Sequence, residues 1–152
     1  MSVITIRDAE PKDLAVLLQF EQGIVTAERP YDPTLADDPI SYYDINSLIS
    51  DTSSKVVVAM IGEKIIGSGF ATILKAQDYL SHNNYVNLHF MYTDPAYRGK
   101  GVNALVIKTL KEWAHSKDLF EIRLTVYQDN LTAIKAYEKV GFKKHIIEMR
   151  LS

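Results

Sequence analysis

The sequence contains no cysteine, and this absence excludes several kinds of chemistry at once. Without thiols the chain has no disulfides, no thiolate ligands for a metal and no covalent cysteine intermediate. Long apolar runs are also absent, because the longest unbroken aliphatic stretch, Val56 to Ile61, is far too short to cross a bilayer. The amino terminus lacks the basic and apolar pattern of a signal peptide. We therefore expect a mature, soluble, cytoplasmic protein with no membrane partner.

The length of 152 residues, of which 47% are hydrophobic, predicts one globular domain over residues 1–152. The net charge of -2 conceals an asymmetry, since residues 1–51 hold ten acids and three bases and the rest holds nine acids and fourteen bases. This asymmetry favours a cationic ligand near the first part and a phosphate-bearing one near the second, although scattered solvated charge is the alternative. The basic excess is small and not interleaved with aromatics, which argues against nucleic acid as a partner.

The first half of the chain predicts a strand, two helices and a hairpin. Three prolines between Gly23 and Pro39 predict a long surface loop. Gly62-Glu63 joins two runs of branched residues, as in a hairpin, and Gly67 and Gly69 predict a bulge or a close backbone approach. The predicted bounds are strands over 3–6, 55–61 and 64–74, and helices over 11–22 and 40–49.

The second half alternates strands with helices, which predicts one mixed α/β sheet. Leu105, Leu110 and Trp113 are expected on the buried side of its first helix. Gly141 suits the position after a helix, where a positive φ is common. The predicted bounds are strands over 85–93, 121–127 and 142–151, and helices over 101–115 and 130–140.

The segment Tyr97 to Ala104 carries the clearest chemical signal, because it joins a strand to a helix and places two glycines beside two cations. Glycines let the main chain approach an anion, and the first turn of a helix offers unpaired N–H groups and a positive dipole end. The segment therefore predicts a diphosphate site. The alternative is a glycine-rich turn that only starts a helix, since such a turn can have the same sequence.

Two other phosphate binders share this physics. A Walker loop is excluded, because Gly101 stands where Ser or Thr should follow Lys100, and Asp94 stands where Gly is needed. Gly99, Gly101 and Ala104 fit the dinucleotide pattern G-x-G-x-x-G/A. A dinucleotide site also needs an acidic residue about 20 residues after the glycines. The candidate, Asp129, lies well beyond that spacing, which argues against this interpretation.

Two motifs together resemble those of the GNAT N-acetyltransferase superfamily. The segment Arg98 to Asn103 is similar to the pattern R/Q-x-x-G-x-G/A, and Asn130 to Phe142 matches N-x-x-A-x-x-x-Y-x-x-x-G-F. The resemblance covers residues 85–142. It implies a single-domain α/β (α+β) fold with a mixed, mostly antiparallel sheet of about six to seven strands and about four helices.

The chain departs from the family pattern at two points. Asn103 stands where the family has Gly or Ala, and its amide could cap the helix or touch the diphosphate. Only one strand fits after Phe142, where many relatives have a hairpin. This shortening could reduce the acceptor cleft or leave an edge for a homodimer.

The resemblance implies acetyl-CoA as acetyl donor and assigns residues to it. The pantetheine arm is expected along Met91, Tyr92 and Thr93 and at Asn130, and Tyr137 is expected to protonate the leaving thiolate, although it could equally be an aromatic anchor of the core. No metal is needed. The residues expected at the diphosphate are Arg98, Gly99, Lys100, Gly101, Val102, Asn103 and Ala104.

His89 is the candidate general base, because it lies on the strand before the glycine turn and an amine must lose a proton before it attacks. Period-two alternation predicts one shared face for Tyr85, Asn87, His89, Met91 and Thr93. A structural histidine is the alternative reading.

The acceptor is expected at the acidic first half, where Glu28, Arg29 and Tyr31 lie in the predicted long loop and resemblance to the family places the acceptor mouth. Carboxylates there, including Glu21 and Asp32, could attract an ammonium group, and Arg29 could pair with an acceptor carboxylate. The resemblance therefore implies N-acetylation of a primary amine of a small molecule or peptide. Because no cysteine is present to carry the acetyl group, we expect direct attack in a ternary complex. The alternative is a non-catalytic sensor that only binds acyl-CoA.

Overall fold

The computed structural model describes residues 3–152, which form one five-stranded sheet with helices on both faces. The α+β class is confirmed, although the sheet has fewer strands than the six to seven expected. The strands are β1 (Ile4–Asp8), β2 (Ser54–Ile61), β3 (Lys64–Lys75), β4 (Asn84–Thr93) and β5 (Ile122–Leu124), and the α-helices are α1 (Leu14–Glu28), α2 (Ile45–Ser50), α3 (Val102–Ser116) and α4 (Leu131–Lys139).

The strands lie in the order β1-β2-β3-β4-β5, and only the last pair is parallel. The predicted hairpin is confirmed, with Gly62 at a φ of 58° in its turn. The parallel pair β4–β5 has α3 in its connection, as a parallel crossover requires. The sheet is therefore mostly antiparallel, as expected.

Each face of the sheet carries its own hydrophobic core. On one face α3 buries Val102, Val106 and Leu110 against β2, β3 and β4. On the other face α1 and α2 contribute residues such as Leu17 and Ile45. Of the three residues expected on the buried side of α3, only Leu110 is fully buried, because the inward face of the helix follows 102, 106 and 110 and leaves Leu105 exposed.

Gly67 and Gly69 mark the place where α3 approaches β3 most closely, as their positions predicted. A Cβ on Gly69 would lie 2.7 Å from Val106 Cγ1, and one on Gly67 would lie 2.9 Å from Val102 Cγ1. The register with β4 also shifts between Ser68 and Phe70. Small residues here let the helix that follows the glycine turn lie flat on the sheet.

The first half differs from its prediction in its helix bounds. Helix α1 continues to Glu28, so the predicted loop over 23–39 begins only at residue 29, six residues later than Gly23 suggested. Val25 lies within this extension and is only 1% exposed, so burial of its side chain accompanies the added turns of the helix. Helix α2 starts only at Ile45, and residues 41–43 are instead held in irregular conformation by the buried Glu21 carboxylate.

The predicted last strand over 142–151 is wrong, because the structure assigns residues 142–152 no regular secondary structure. Strand β5 is also shorter than the predicted 121–127, with only three residues paired to β4. A strand needs a neighbouring backbone for its N–H and C=O groups. Within residues 3–152 the tail finds none.

Candidate functional site

The glycine turn after β4 has the backbone that an anion site requires. Gly99 and Gly101 adopt φ values of 77° and 81°, which favour glycine. Gly101 is the N-cap of α3, and no side chain of the described residues caps this helix. The first N–H groups of the helix therefore remain available, and no atom lies within 4 Å of where a Cβ on either glycine would be.

Cations surround this turn. Lys100 Nζ lies 5.3 Å from the ring centre of Tyr97, and Lys64 Nζ lies 5.1 Å from the same ring. The exposed Arg98 donates from Nε to the carbonyl oxygen of Thr93 at 3.3 Å. Asn103 lies half-buried in the first turn of α3 and does not cap it. Two ammonium groups and a free helix start give this turn a positive potential.

Beyond Leu88, strands β4 and β5 separate. Pairing joins only residues 86–88 to 122–124, although β4 continues to Thr93. The β4 edge that includes Met91, Tyr92 and Thr93 therefore has no strand partner on the β5 side among residues 3–152. This opening begins at the last paired residues and leads to the glycine turn.

A bulge in β4 changes which side chains face the opening. Phe90 has a positive φ of 60°, and the register against β3 shifts at this point. Because of the bulge, Met91 packs on the α3 side whereas His89 contacts residues of the α2 side. The expected single face from Tyr85 to Thr93 is therefore wrong.

His89 lies in a shallow groove of about 460 Å³ beside α2. Its ring stacks on Phe70 at 4.9 Å between centroids, and its Nε2 lies 2.7 Å from Asn87 Nδ2 and 3.4 Å from Thr72 Oγ1. Burial lowers the pKa of His89 and so favours its neutral form. The groove is lined by Tyr43, Asp44, Ser47, Leu48, Asp51, Phe70, Thr72 and His89.

An acid–tyrosine cluster of Glu28, Asp32, Tyr42, Tyr127 and Tyr137 gathers where the chain leaves β5. Tyr127 donates its hydroxyl to Asp32 Oδ2 at 2.5 Å, and the Tyr42 hydroxyl is buried beside Glu28 without meeting the geometry of a hydrogen bond. Burial first, and then the charge of Asp32 nearby, raise the pKa of Glu28. Burial, followed by the Glu28 charge, raises the pKa of Tyr137.

The charge of Glu28 thus lies close enough to Tyr137 to raise the pKa of its phenol, whereas His89 lies in a different groove. Tyr31 joins the cluster through its stacked contact with Tyr127, with ring centroids 6.1 Å apart. Arg29 is already paired, since its Nη2 lies 2.7 Å from Asp38 Oδ1.

Asn130 is the N-cap of α4, and its Oδ1 accepts the N–H of Ala133 at 3.2 Å. Its side-chain NH2 group remains available as a donor. This capping role explains why an asparagine suits the start of the second motif.

Sequence reasoning missed Tyr42 and Tyr127. Tyr42 follows a loop with no regular pattern, and Tyr127 lies just beyond β5. The contact between Tyr127 and Asp32 spans 95 residues, so only the fold reveals it. The one signal in the sequence is the pair Tyr42-Tyr43 directly after the proline-rich loop.

The described residues 3–152 contain no helix able to cross a membrane and no group of three His, Asp or Glu side chains suited to a metal ion.

Comparison with known families gives one match over most of the chain. The model of the acetyltransferase (GNAT) family matches residues 20–142. Streptothricin acetyltransferase of Escherichia coli is 30% identical over 93 residues, which are 61% of this chain and 49% of that protein. N-acetyltransferase 8B of Homo sapiens is 28% identical over 98 residues, 64% of this chain and 42% of that protein. The chain thus spans about half or less of the length of these relatives.

Solved structures share the fold at low identity. The BH1408 protein of Bacillus halodurans superposes with a TM-score of 0.88 at 18% identity, over 97% of this chain and 98% of the other. A predicted acetyltransferase of Clostridium acetobutylicum, solved with acetyl-CoA, has a TM-score of 0.74 at 17% identity, over 99% and 96% of the two chains.

Proposed function

Since the chain belongs to the GNAT acetyltransferase family, we propose that it is an acetyl-CoA-dependent N-acetyltransferase acting on a primary amine of a small molecule or peptide. The observation that carries the proposal is the opening between β4 and β5. It has an anion-binding turn where β4 leads into α3 and the acid–tyrosine cluster where the chain leaves β5. An acetyl donor with phosphate groups requires an anion-binding turn, and a cationic amine acceptor requires acidic surroundings.

The residues present fit acetyl-CoA. The backbone from Arg98 to Ala104 would hold its diphosphate on the free N–H groups at the start of α3, with Lys100 beside it. The unpaired β4 edge at Met91, Tyr92 and Thr93 would bond the pantetheine amides, together with the Asn130 amide group. Bound here, acetyl-CoA supplies a thioester carbonyl as the electrophile.

Tyr137 is the proposed proton donor. As the amine nitrogen bonds to the thioester carbon and the C–S bond breaks, the departing sulfur takes a proton from the Tyr137 hydroxyl. Burial and the Glu28 charge raise the pKa of this phenol and so keep it protonated at neutral pH. Replacing it by Phe removes the donor while keeping the contact of its ring with Phe142, whose centroid is 6.0 Å away.

Two groups are candidates for the base that receives the proton of the amine. His89 fits by residue type, but it lies in the groove beside α2. Glu28 lies near Tyr137, and the same burial that raises its pKa makes it a stronger base than a solvated carboxylate. We favour Glu28 because a base and an acid that serve one reaction must lie near the same reacting atoms.

Acceptor binding is proposed at the acid–tyrosine cluster. Glu28 and Asp32 give this end of the opening a negative charge, and the stacked rings of Tyr31 and Tyr127 offer faces to a cation. Arg29 would hold an acceptor carboxylate only by exchanging it for Asp38. The site therefore suits a cationic amine without a neighbouring carboxylate.

Two measurements test the proposed function. Acetyl-CoA at about 100 times its Kd should add roughly 2.7 kcal/mol and raise Tm by about 5 to 10 °C, whereas NAD and ATP should not. Thiol release from acetyl-CoA should then accelerate with at least one cationic amine of a panel. A Tm shift with NAD alone, or a hydrolysis background that no amine accelerates, would contradict the proposal.

The pKa of Glu28 is raised above 4.5 and the pKa of His89 is lowered below 6.5, so either base would give an acid limb in a similar range of the pH–rate profile. Variants are therefore needed to identify the base. Glu28→Gln should lower kcat about 100-fold and remove the acid limb of the kcat/KM profile. His89→Gln should leave that limb in place. The reverse pattern would assign the base to His89.

A further inference from the structure

Two lysines from different parts of the chain share one aromatic ring beside the glycine turn. Lys64 is the first residue of β3, and Lys100 lies in the turn itself. Their Nζ atoms lie 5.1 and 5.3 Å from the centre of the Tyr97 ring, which is the distance of a cation–π contact. Because both distances are measured to one ring, the two ammonium groups are at most about 10 Å apart. We call Lys64, Tyr97 and Lys100 the lysine–tyrosine cluster.

Backbone hydrogen bonds hold this cluster in place. The Asp94 N–H donates to the Ile66 carbonyl oxygen at 2.8 Å, which ties the segment after β4 to β3 two residues from Lys64. The Tyr97 N–H in turn donates to the Asp94 carbonyl oxygen at 2.8 Å. The Tyr97 ring is half-buried and packs against the core on the α3 face of the sheet. The ring is therefore a fixed support that two long side chains reach from two different elements.

The two ammonium groups of the cluster are not neutralised within the described chain. Among residues 3–152, neither Lys64 nor Lys100 has a carboxylate within ion-pair distance, and both side chains are exposed. Two like charges at this separation repel each other, and one aromatic ring offsets only part of that repulsion. The cluster therefore favours an anion that carries more than one negative charge.

Acetyl-CoA carries two kinds of phosphate, and the proposed function accounts for only one of them. Its diphosphate is assigned to the N–H groups at the start of α3. Its other phosphate is a monoester on the 3′ oxygen of the ribose whose 5′ oxygen carries the diphosphate, and it has about two negative charges at pH 7. Because one ribose joins the two groups, the monoester lies beside the glycine turn whenever the diphosphate is bound there.

We propose that the lysine–tyrosine cluster binds the ribose 3′-phosphate of acetyl-CoA, and that Lys64 makes the protein prefer the donor that carries this phosphate. This inference rests on the proposed function, since it takes the diphosphate to be bound at the glycine turn. Arg98 is a weaker candidate, because its Nε already donates to the Thr93 carbonyl oxygen. Lys100 lies in the turn and would contact either phosphate, whereas Lys64 lies on a separate strand and would contact the monoester.

Calorimetric titration of the full chain with acetyl-CoA and with its 3′-dephospho form tests the proposal without measuring turnover. Two exposed ion pairs of ordinary strength together give about tenfold in affinity, so acetyl-CoA should bind about tenfold more tightly at low ionic strength. Lys64→Gln should reduce this preference to about threefold or less, by weakening acetyl-CoA and leaving the affinity for the dephospho form unchanged. Lys64→Arg keeps the positive charge and should keep the preference.

Lys75→Gln is the matched control, because Lys75 is an exposed lysine at the other end of β3 and its loss changes the net charge by the same amount. It should keep the full preference. Equal affinity of the unchanged chain for both forms, an unchanged preference in Lys64→Gln, or an equal loss in Lys64→Gln and Lys75→Gln would overturn this inference and leave the proposed function intact. Failure of both forms to bind would overturn the proposed function, and this inference with it.

Discussion

At the scale of single residues, the backbone of the glycine turn is set by conformations that only glycine adopts easily. Gly101→Ala keeps a φ near 81° only at a cost of about 1 to 2 kcal/mol. The alternative is a shift of the first turn of α3, which moves the N–H groups proposed to hold the diphosphate. We therefore expect Gly101→Ala to lower Tm and to weaken acetyl-CoA binding at least tenfold, as measured by calorimetry.

Gly62→Ala is the matched control, because Gly62 also has a positive φ and no atom within 4 Å of its Cβ position. It lies in the β2–β3 hairpin turn, so it should lower Tm to a similar degree without changing the affinity. Equal loss of affinity in both variants would show that stability, and not the turn, controls binding.

The ion pair of Arg7 and Asp13 joins β1 to the turn before α1. Two hydrogen bonds of 2.7 and 3.0 Å connect the groups, and Asp13 is only 3% exposed. Asp13→Asn should cost about 2 kcal/mol in urea unfolding, below the range for fully buried pairs because Arg7 is partly exposed. Asp8→Asn, whose carboxylate bonds Lys55 at the surface, should cost under about 1 kcal/mol.

The same pair gives stability a defined pH dependence. The hydrogen bond from Arg7 is the largest cause of the lowered pKa of Asp13. A carboxyl with a lowered folded pKa contributes its full stability above the unfolded value, about 3.9, and loses it as pH falls through the folded value. Below about pH 4 the wild-type chain should therefore lose stability more steeply than Asp13→Asn. Parallel curves would contradict this account.

At the scale of elements, Glu21 connects α1 to the segment before α2. Its carboxylate is 1% exposed and accepts the N–H groups of Tyr42 and Tyr43 at 3.0 and 2.9 Å. Glu21→Leu leaves both N–H groups unpaired, at a cost of about 2 to 4 kcal/mol. This segment positions Tyr42 beside Glu28, in the cluster proposed for the acceptor. We therefore expect the KM for the acceptor to rise more than the KM for acetyl-CoA.

Hydrogen exchange checks the structural part of this prediction. The amide protons of Tyr42 and Tyr43 should lose protection in Glu21→Leu and keep it in Glu112→Ala, which changes an exposed carboxylate on α3. Unchanged protection at both amides would show that Glu21 does not hold the segment.

Elements were predictable from the sequence where their causes are local. The hairpin at Gly62 and the turn at Gly101 follow from backbone preferences of a few residues, and the motif around Asn130 coincides with an N-cap. The end of α1 was not predictable, since the burial of Val25 in the added turns depends on the folded chain and not on its neighbours in sequence. The tail was misjudged because its alternation is that of a strand, whereas pairing depends on a neighbour that the pattern does not show.

The candidate site shows the same division. The glycines and cations from Arg98 to Gly101, at the end proposed for the diphosphate, are consecutive in sequence and were predicted together. The acid–tyrosine cluster joins residues such as Asp32 and Tyr127 that lie 95 positions apart. Even the separation of Met91 from His89 onto opposite faces depended on a bulge at Phe90, whose positive φ no residue preference indicates.

At the scale of the whole molecule, the two ends of the opening between β4 and β5 differ in charge because the two halves of the sequence do. The acidic first part contributes Glu28 and Asp32 to the end of the opening that we propose for the acceptor, and the basic second part contributes Lys100 to the end proposed for the phosphates. Opposite ends thus attract opposite charges.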